Sequence, residues 1–161
     1  MSSSSHHCEL RGVDIARLER LAAALNKSLP QRIVIGLRGT LGAGKTRFVQ
    51  AFACAAGVPQ GDVTSPTFPI VQHYHGDRLI HHIDAYRLAD EDEFAELGGE
   101  ELLEEDATIL IEWPDRIKAS LPPDLITIDF EVDDDPMTRS IRIAGTDAAI
   151  MGVIARLCET L

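Results

Sequence analysis

A single α/β domain on a mixed sheet is the fold class the sequence predicts, and three observations predict it. Apolar runs of strand length alternate with amphipathic helical segments. A glycine-rich turn joins one such run directly to a helix. Two pairs of strand-like segments are separated by short polar turns, the pattern of antiparallel hairpins. The length of 161 residues suits one hydrophobic core, and 45% hydrophobic with 25% charged residues is ordinary for a globular chain.

The elements follow in order. Residues 1–12, opening on Met1 to Ser5 and His6-His7, are expected to be a frayed end, with one domain over 13–161. Asp14 can cap a helix whose apolar positions are Ile15, Leu18, Leu21, Ala22 and Leu25, stopped by Pro30. Ile33 to Leu37 reads as a buried strand, Gly39 to Gly44 as a turn, and Lys45 to Ala56 as a helix ended by Gly57 and Pro59. Phe68 to His75 and Leu79 to Ile83 flank Gly76-Asp77 as a hairpin. Asp90 to Leu103 is helical with a break at Gly98-Gly99, and Thr108 to Ile111 is a buried strand ending in Glu112. Ile126 to Val132 and Ser140 to Ile143 form a second hairpin around Asp133 to Pro136. Asp147 to Leu161 closes the chain as a helix.

Charge and cysteines restrict the function classes. The net charge of −11 offers no basic surface for neutralising nucleic-acid phosphates. Asp90 to Asp106 and Asp129 to Asp135 carry much of the acid, as a solvated face or a surface for a basic partner. No apolar run reaches the ~18 residues of a membrane helix. Cys8, Cys54 and Cys158 are odd in number and widely spaced, which points to a reducing, cytoplasmic setting, with Cys54 expected to be a buried helical thiol.

The chemistry centres on Gly39-Thr40-Leu41-Gly42-Ala43-Gly44-Lys45-Thr46, which matches G-x-x-x-x-G-K-[ST] at every fixed position. A chance match arises about once in 200 chains of this length, and this one lies between an apolar strand and an apolar helix, as a P-loop requires. Glycines let the backbone approach phosphate closely, and successive N–H groups with the helix N-terminus form an anion nest. ATP with Mg²⁺ is the expected cofactor pair in a P-loop NTPase-like fold. Leu41, Gly42, Ala43, Gly44, Lys45, Thr46 and Arg47 are the expected nucleotide contacts. Lys45 is to reach the β- and γ-phosphates and the Thr46 hydroxyl to ligate the metal. Asp84 and Glu112, each closing an apolar strand, are the candidate catalytic and metal-binding carboxylates; strand ends beside a phosphate loop are where such sheets place ligands. Either acid alone also reads as a solvent-facing strand end. Ser65-Pro66-Thr67-Phe68 reads as a Ser-Pro turn or as a switch segment bringing Thr67 to the phosphates. His73, His75, His81 and His82 lack the cysteine or carboxylate partners of a zinc site and read as surface or partly packed histidines.

The segments LGAGKT (Leu41 to Thr46), SPTF (Ser65 to Phe68), HIDAYRL (His82 to Leu88) and IEWPDR (Ile111 to Arg116) stand in the order and spacing of the bacterial TsaE (YjeE) family, which this chain resembles over about residues 14–142. The resemblance implies an ATPase of tRNA threonylcarbamoyladenosine biosynthesis. It would act with the TsaB and TsaD proteins, meeting tRNA only indirectly through that complex. It also implies that Asp84 and Glu112 surround Mg²⁺ and water, that Thr67 belongs to a switch-like segment, and that Trp113 lies next to the nucleotide. Two positions depart from the family pattern. Thr40 replaces the usual aspartate, and Asp14 stands where threonine is frequent, as a helix cap unfavourable beside phosphate. A regulatory GTPase is disfavoured because Asn26, the only asparagine, precedes the P-loop and begins no N-K-x-D. A small-metabolite kinase and a non-catalytic nucleotide-binding module are the competing functions.

Overall fold

The computed structural model describes residues 6–63 and 70–161. Its strands are β1 (His6–Val13), β2 (Ile33–Arg38), β3 (Val71–His75), β4 (Leu79–Asp84), β5 (Thr108–Glu112), β6 (Ile126–Val132) and β7 (Arg139–Gly145). Its α-helices are α1 (Ile15–Ser28), α2 (Lys45–Ala55), α3 (Glu91–Glu96), α4 (Gly99–Glu104) and α5 (Ala148–Thr160). The seven strands form one sheet in the order β1-β7-β6-β2-β5-β4-β3. β2, β5, β4 and β6 run parallel as neighbours, whereas β3–β4, β6–β7 and β1–β7 pair antiparallel. The predicted mixed sheet and both predicted hairpins are present, the first over Val71–His75 and Leu79–Asp84, with Phe68 of its expected span outside the described residues.

Two apolar layers sandwich the sheet. On one face Ile35, Leu37, Leu110 and Ile128 pack beneath Leu21 and Leu25 of α1, Phe48 and Phe52 of α2, and Ile154 of α5. On the other, Ile83, Ile109 and Ile111 pack against Phe94 of α3 and Ile117. Successive residues of β5 and β4 enter opposite layers because side chains alternate faces with the two-residue period of a strand. The same period puts His82, Asp84 and Glu112 on the α2 face. At the other end of α1, the buried Arg78 donates to the carbonyls of Asn26, Leu29 and Pro30, which caps the helix C-terminus with a cation.

Of the frayed end expected over residues 1–12, residues 1–5 lie outside the described residues and the rest is corrected: His6–Val13 is an edge strand paired with Arg139–Gly145. Only Leu10 and Val13 of its eight residues are buried, and the pairing shifts register between them. It therefore carries no alternating pattern, and its hydrogen-bond partner lies far along the chain. Cys54 is corrected as well, since it is exposed on α2. Among the histidines, His81 and His82 are fully buried. His81 donates through Nε2 to Glu105 (2.8 Å), and its Nδ1 shares a hydrogen bond with His73 Nδ1 (2.6 Å). Among the described residues no three His, Cys, Asp or Glu side chains could hold a metal by themselves.

Candidate functional site

The phosphate-type loop lies between the C-terminal end of β2 and the first turn of α2. Gly39, Gly42 and Gly44 have φ of +151°, +79° and +115°, conformations that side chains other than glycine rarely adopt. A Cβ on Gly39 would also stand 2.7 Å from the Phe130 carbonyl oxygen. Arg139 of β7 grips this loop from behind, donating to the carbonyls of Ala43 (2.9 Å) and Gly42 (3.2 Å). Because a trans peptide sets its C=O and N–H in opposite directions, this turns the Gly44 N–H away from Arg139.

Lys45 is buried, its ammonium donating to the carbonyls of Gly39 (2.5 Å) and Thr40 (3.0 Å) and lying 4.1 Å from the centre of the Trp113 ring. Burial lowers its pKa, against the opposing pull of Glu112 and Asp84. Thr46, one residue on, donates its hydroxyl to Glu112 Oε1 at 2.8 Å. Glu112 Oε2 accepts from His82 Nε2 at 2.7 Å, in a pocket where His82 is wholly buried. A carboxylate only accepts, so His82 carries its proton on Nε2; its Nδ1 stands 3.5 Å from the Tyr74 hydroxyl. Burial pushes the Glu112 carboxyl up, but the bonds from His82 and Thr46 and the charge of Lys45 outweigh it and hold the group below its ordinary value.

Parallel register sets Asp84 of β4 directly beside Glu112 of β5. Asp84 accepts from the Tyr86 N–H (3.2 Å) and from Arg87 Nε (3.3 Å). Trp113 has φ +60°, making it the only non-glycine residue with positive φ among those described. That turn sends its ring over Lys45 and to 5.1 Å from the Tyr86 ring. Backbone strain of this kind at a site mouth costs about 1–3 kcal/mol and persists only where the surroundings hold it.

Leu41, Gly42, Gly44, Lys45, Thr46, Arg47, Asp84, Glu112 and Trp113 all line one cleft of about 530 Å³, with Tyr86 and Arg87. Ala43 lines a second recess of about 260 Å³ behind the loop, walled by Val13, Ile15, Leu18, Met137 and Arg139. Gly42, Gly44 and Arg47 line both, and Arg47 is paired with Glu19 at 2.6 Å. Thr67 lies outside the described residues. Sequence reasoning passed over two side chains of the site. His82 belongs to a quoted segment, and its two-residue offset from Asp84 was the available signal. For Arg139 no local signal exists.

The donor set facing Lys45 is all oxygen: the Thr46 hydroxyl with the carboxylates of Glu112 and Asp84. Hard oxygen donors in small number fit Mg²⁺, which keeps waters and phosphate oxygens in its shell instead of demanding a full protein cage.

A family model described as threonylcarbamoyl adenosine biosynthesis protein TsaE matches residues 13–141. Among curated relatives, the tRNA threonylcarbamoyladenosine biosynthesis protein TsaE of Treponema pallidum is 36% identical over 113 residues, covering 70% of this chain and 83% of that protein. The protein of the same name from Aquifex aeolicus is 41% identical over 126 residues, covering 77% and 86% respectively. A crystal structure of Bacillus subtilis YdiB matches with a TM-score of 0.76 at 24% identity, over 98% of this chain and 97% of that one, a likeness of fold. With the model spanning most of the domain and relatives at these identities, the chain belongs to the TsaE family.

Proposed function

We propose that this protein binds Mg-ATP in the cleft of the glycine loop and hydrolyses it in support of threonylcarbamoyl transfer to adenosine 37 of tRNA, acting with TsaB and TsaD. The observation that carries the reading is the chain of contacts His82–Glu112–Thr46 running to the first turn of α2, beside the buried Lys45. The loop amides and the α2 N-terminus bind phosphate oxygens. The apolar recess of Val13, Ile15, Leu18 and Met137, opening beside Gly42 to Gly44, suits a purine ring.

Thr46, Glu112 and Asp84 would hold Mg²⁺, which when bound neutralises phosphate charge. Lys45 supplies positive charge where the γ-phosphoryl oxygens gain negative charge. Asp84 and Glu112 orient the water that attacks the γ-phosphorus, and ADP leaves. Trp113 covers Lys45 on the side of the cleft, limiting its contact with bulk water.

The test is to mix this chain with the TsaB–TsaD pair and follow phosphate release and modified tRNA together. Hydrolysis is expected to be slow for the chain alone and to rise with the pair, while Trp113 emission changes on adding Mg-ATP. Full turnover by the isolated chain, or no response to the pair, would count against this function. A phosphorylated small molecule as product would instead identify a kinase.

A further inference from the structure

The three cysteines, so far apart in sequence, are not equivalent in space. Cys8 lies in β1, paired across the sheet with Ile143 of β7, and Cys158 lies in the last turns of α5. Their sulfurs are 3.0 Å apart and both side chains are half-buried, whereas Cys54 is exposed on α2. Arg17 of α1 lies at the same junction. It donates from Nε to the Leu161 carbonyl (2.9 Å) and from Nη1 to the Arg11 carbonyl (2.7 Å), bridging the end of α5 to β1.

We propose that Cys8 and Cys158 are a reversible dithiol–disulfide site that staples the N-terminal edge strand to the C-terminal helix when a peroxide oxidises the chain. A disulfide needs the sulfurs at about 2.05 Å, so they must close by about 1 Å within a contact that already exists.

The surroundings divide the two roles. The bond between the two sulfurs, with the Arg17 charge beside Cys158, holds the Cys158 thiol below its ordinary pKa; the same bond and burial push Cys8 up. Cys158 is therefore the attacking thiolate. Its sulfur attacks one peroxide oxygen, the O–O bond breaks, and Cys158 becomes a sulfenic acid as the departing hydroxide takes a proton to form water. The Cys8 sulfur then attacks the Cys158 sulfur, the S–O bond breaks, and the Cys8 proton leaves with the hydroxide as a second water. Two thiols and one hydrogen peroxide thus give one disulfide and two waters, with two electrons passing to the peroxide. A dithiol reductant reverses the change. The bridge closes a ring over nearly the whole chain, the arrangement that restricts the unfolded state most.

The experiment treats the full chain with equimolar hydrogen peroxide, alkylates the remaining thiols and maps the peptides by mass. The expected result is a mass loss of two hydrogens, a link between the Cys8 and Cys158 peptides, and Cys54 as the one alkylated thiol. The melting temperature should rise by about 4–16 °C and return on reduction. Cys54→Ser should keep both effects, and Cys8→Ser and Cys158→Ser should each lose them. Three alkylated thiols after oxidation, a covalent dimer through Cys54, or Cys158 left as an oxyacid beside a free Cys8 would each overturn the proposal. Should Cys8→Ser fail to fold, Cys54→Ser decides alone, because it keeps the pair intact.

Discussion

Replacing His82 with leucine removes the donor to Glu112 while roughly keeping side-chain volume, and its consequences can be worked from the geometry. Glu112 is 5% exposed, and Oε2 receives its 2.7 Å bond from His82. Losing the partner of a buried, charged acceptor costs about 2–4 kcal/mol, or a melting temperature lower by about 4–16 °C for a domain of this size. The pH dependence moves in a defined direction. In the parent, Glu112 titrates below its ordinary 4.5. The stability it contributes is therefore present above that value and lost as pH falls through its depressed folded pKa. Without His82 the burial that raises Glu112 is opposed only by Thr46 and Lys45, so its folded pKa moves up toward the unfolded value and its share of the acid limb shrinks. The destabilisation is largest above the ordinary carboxylate pKa and fades as pH falls. His82→Gln restores an N–H near the lost one and should recover most of the melting temperature and the acid limb. The assay is thermal melting from pH 3 to 8 for the three proteins, with Trp113 emission recording the Mg²⁺ dependence of nucleotide binding. If His82→Leu melts and titrates like the parent, the bond to Glu112 holds nothing in place and the reasoning fails.

Lys45→Ala should lower ATP turnover by at least 10²-fold, on the order of losing one transition-state donor, with the fold retained in a melting scan; near-parental turnover would remove the phosphate role of the loop. Glu112→Gln and Asp84→Asn should raise the Mg²⁺ needed for half-maximal turnover far more than they weaken nucleotide binding, since the loop amides remain; parental behaviour in both assays would leave either acid a strand-end carboxylate. Arg139→Met, which frees the Gly42 and Ala43 carbonyls, should weaken nucleotide binding about tenfold, equivalent to ~1.4 kcal/mol, as read by titration of Trp113 emission.

Read alone, the sequence was enough for the mixed α/β architecture, the loop with its helix, both hairpins, the closing helix and the helix cap at Asp14. Each of these is written in a few consecutive residues: a period of two or 3.6, a glycine at positive φ, or a side chain bonding a nearby N–H. It also placed Asp84 and Glu112 at strand ends. That the two acids are neighbours follows only from the parallel register of β4 on β5. The same register turns His82 toward Glu112, making a nominal surface histidine the buried partner of the site. β1 was missed because an edge strand with two buried residues acquires its order from β7 and not from its own pattern. Arg139 reaches the loop across 96 positions, and Cys8 meets Cys158 across 150. Local periodicity reports what a segment can bury, whereas such meetings depend on how the sheet orders its strands and which helices cover it, so tertiary packing alone decided them.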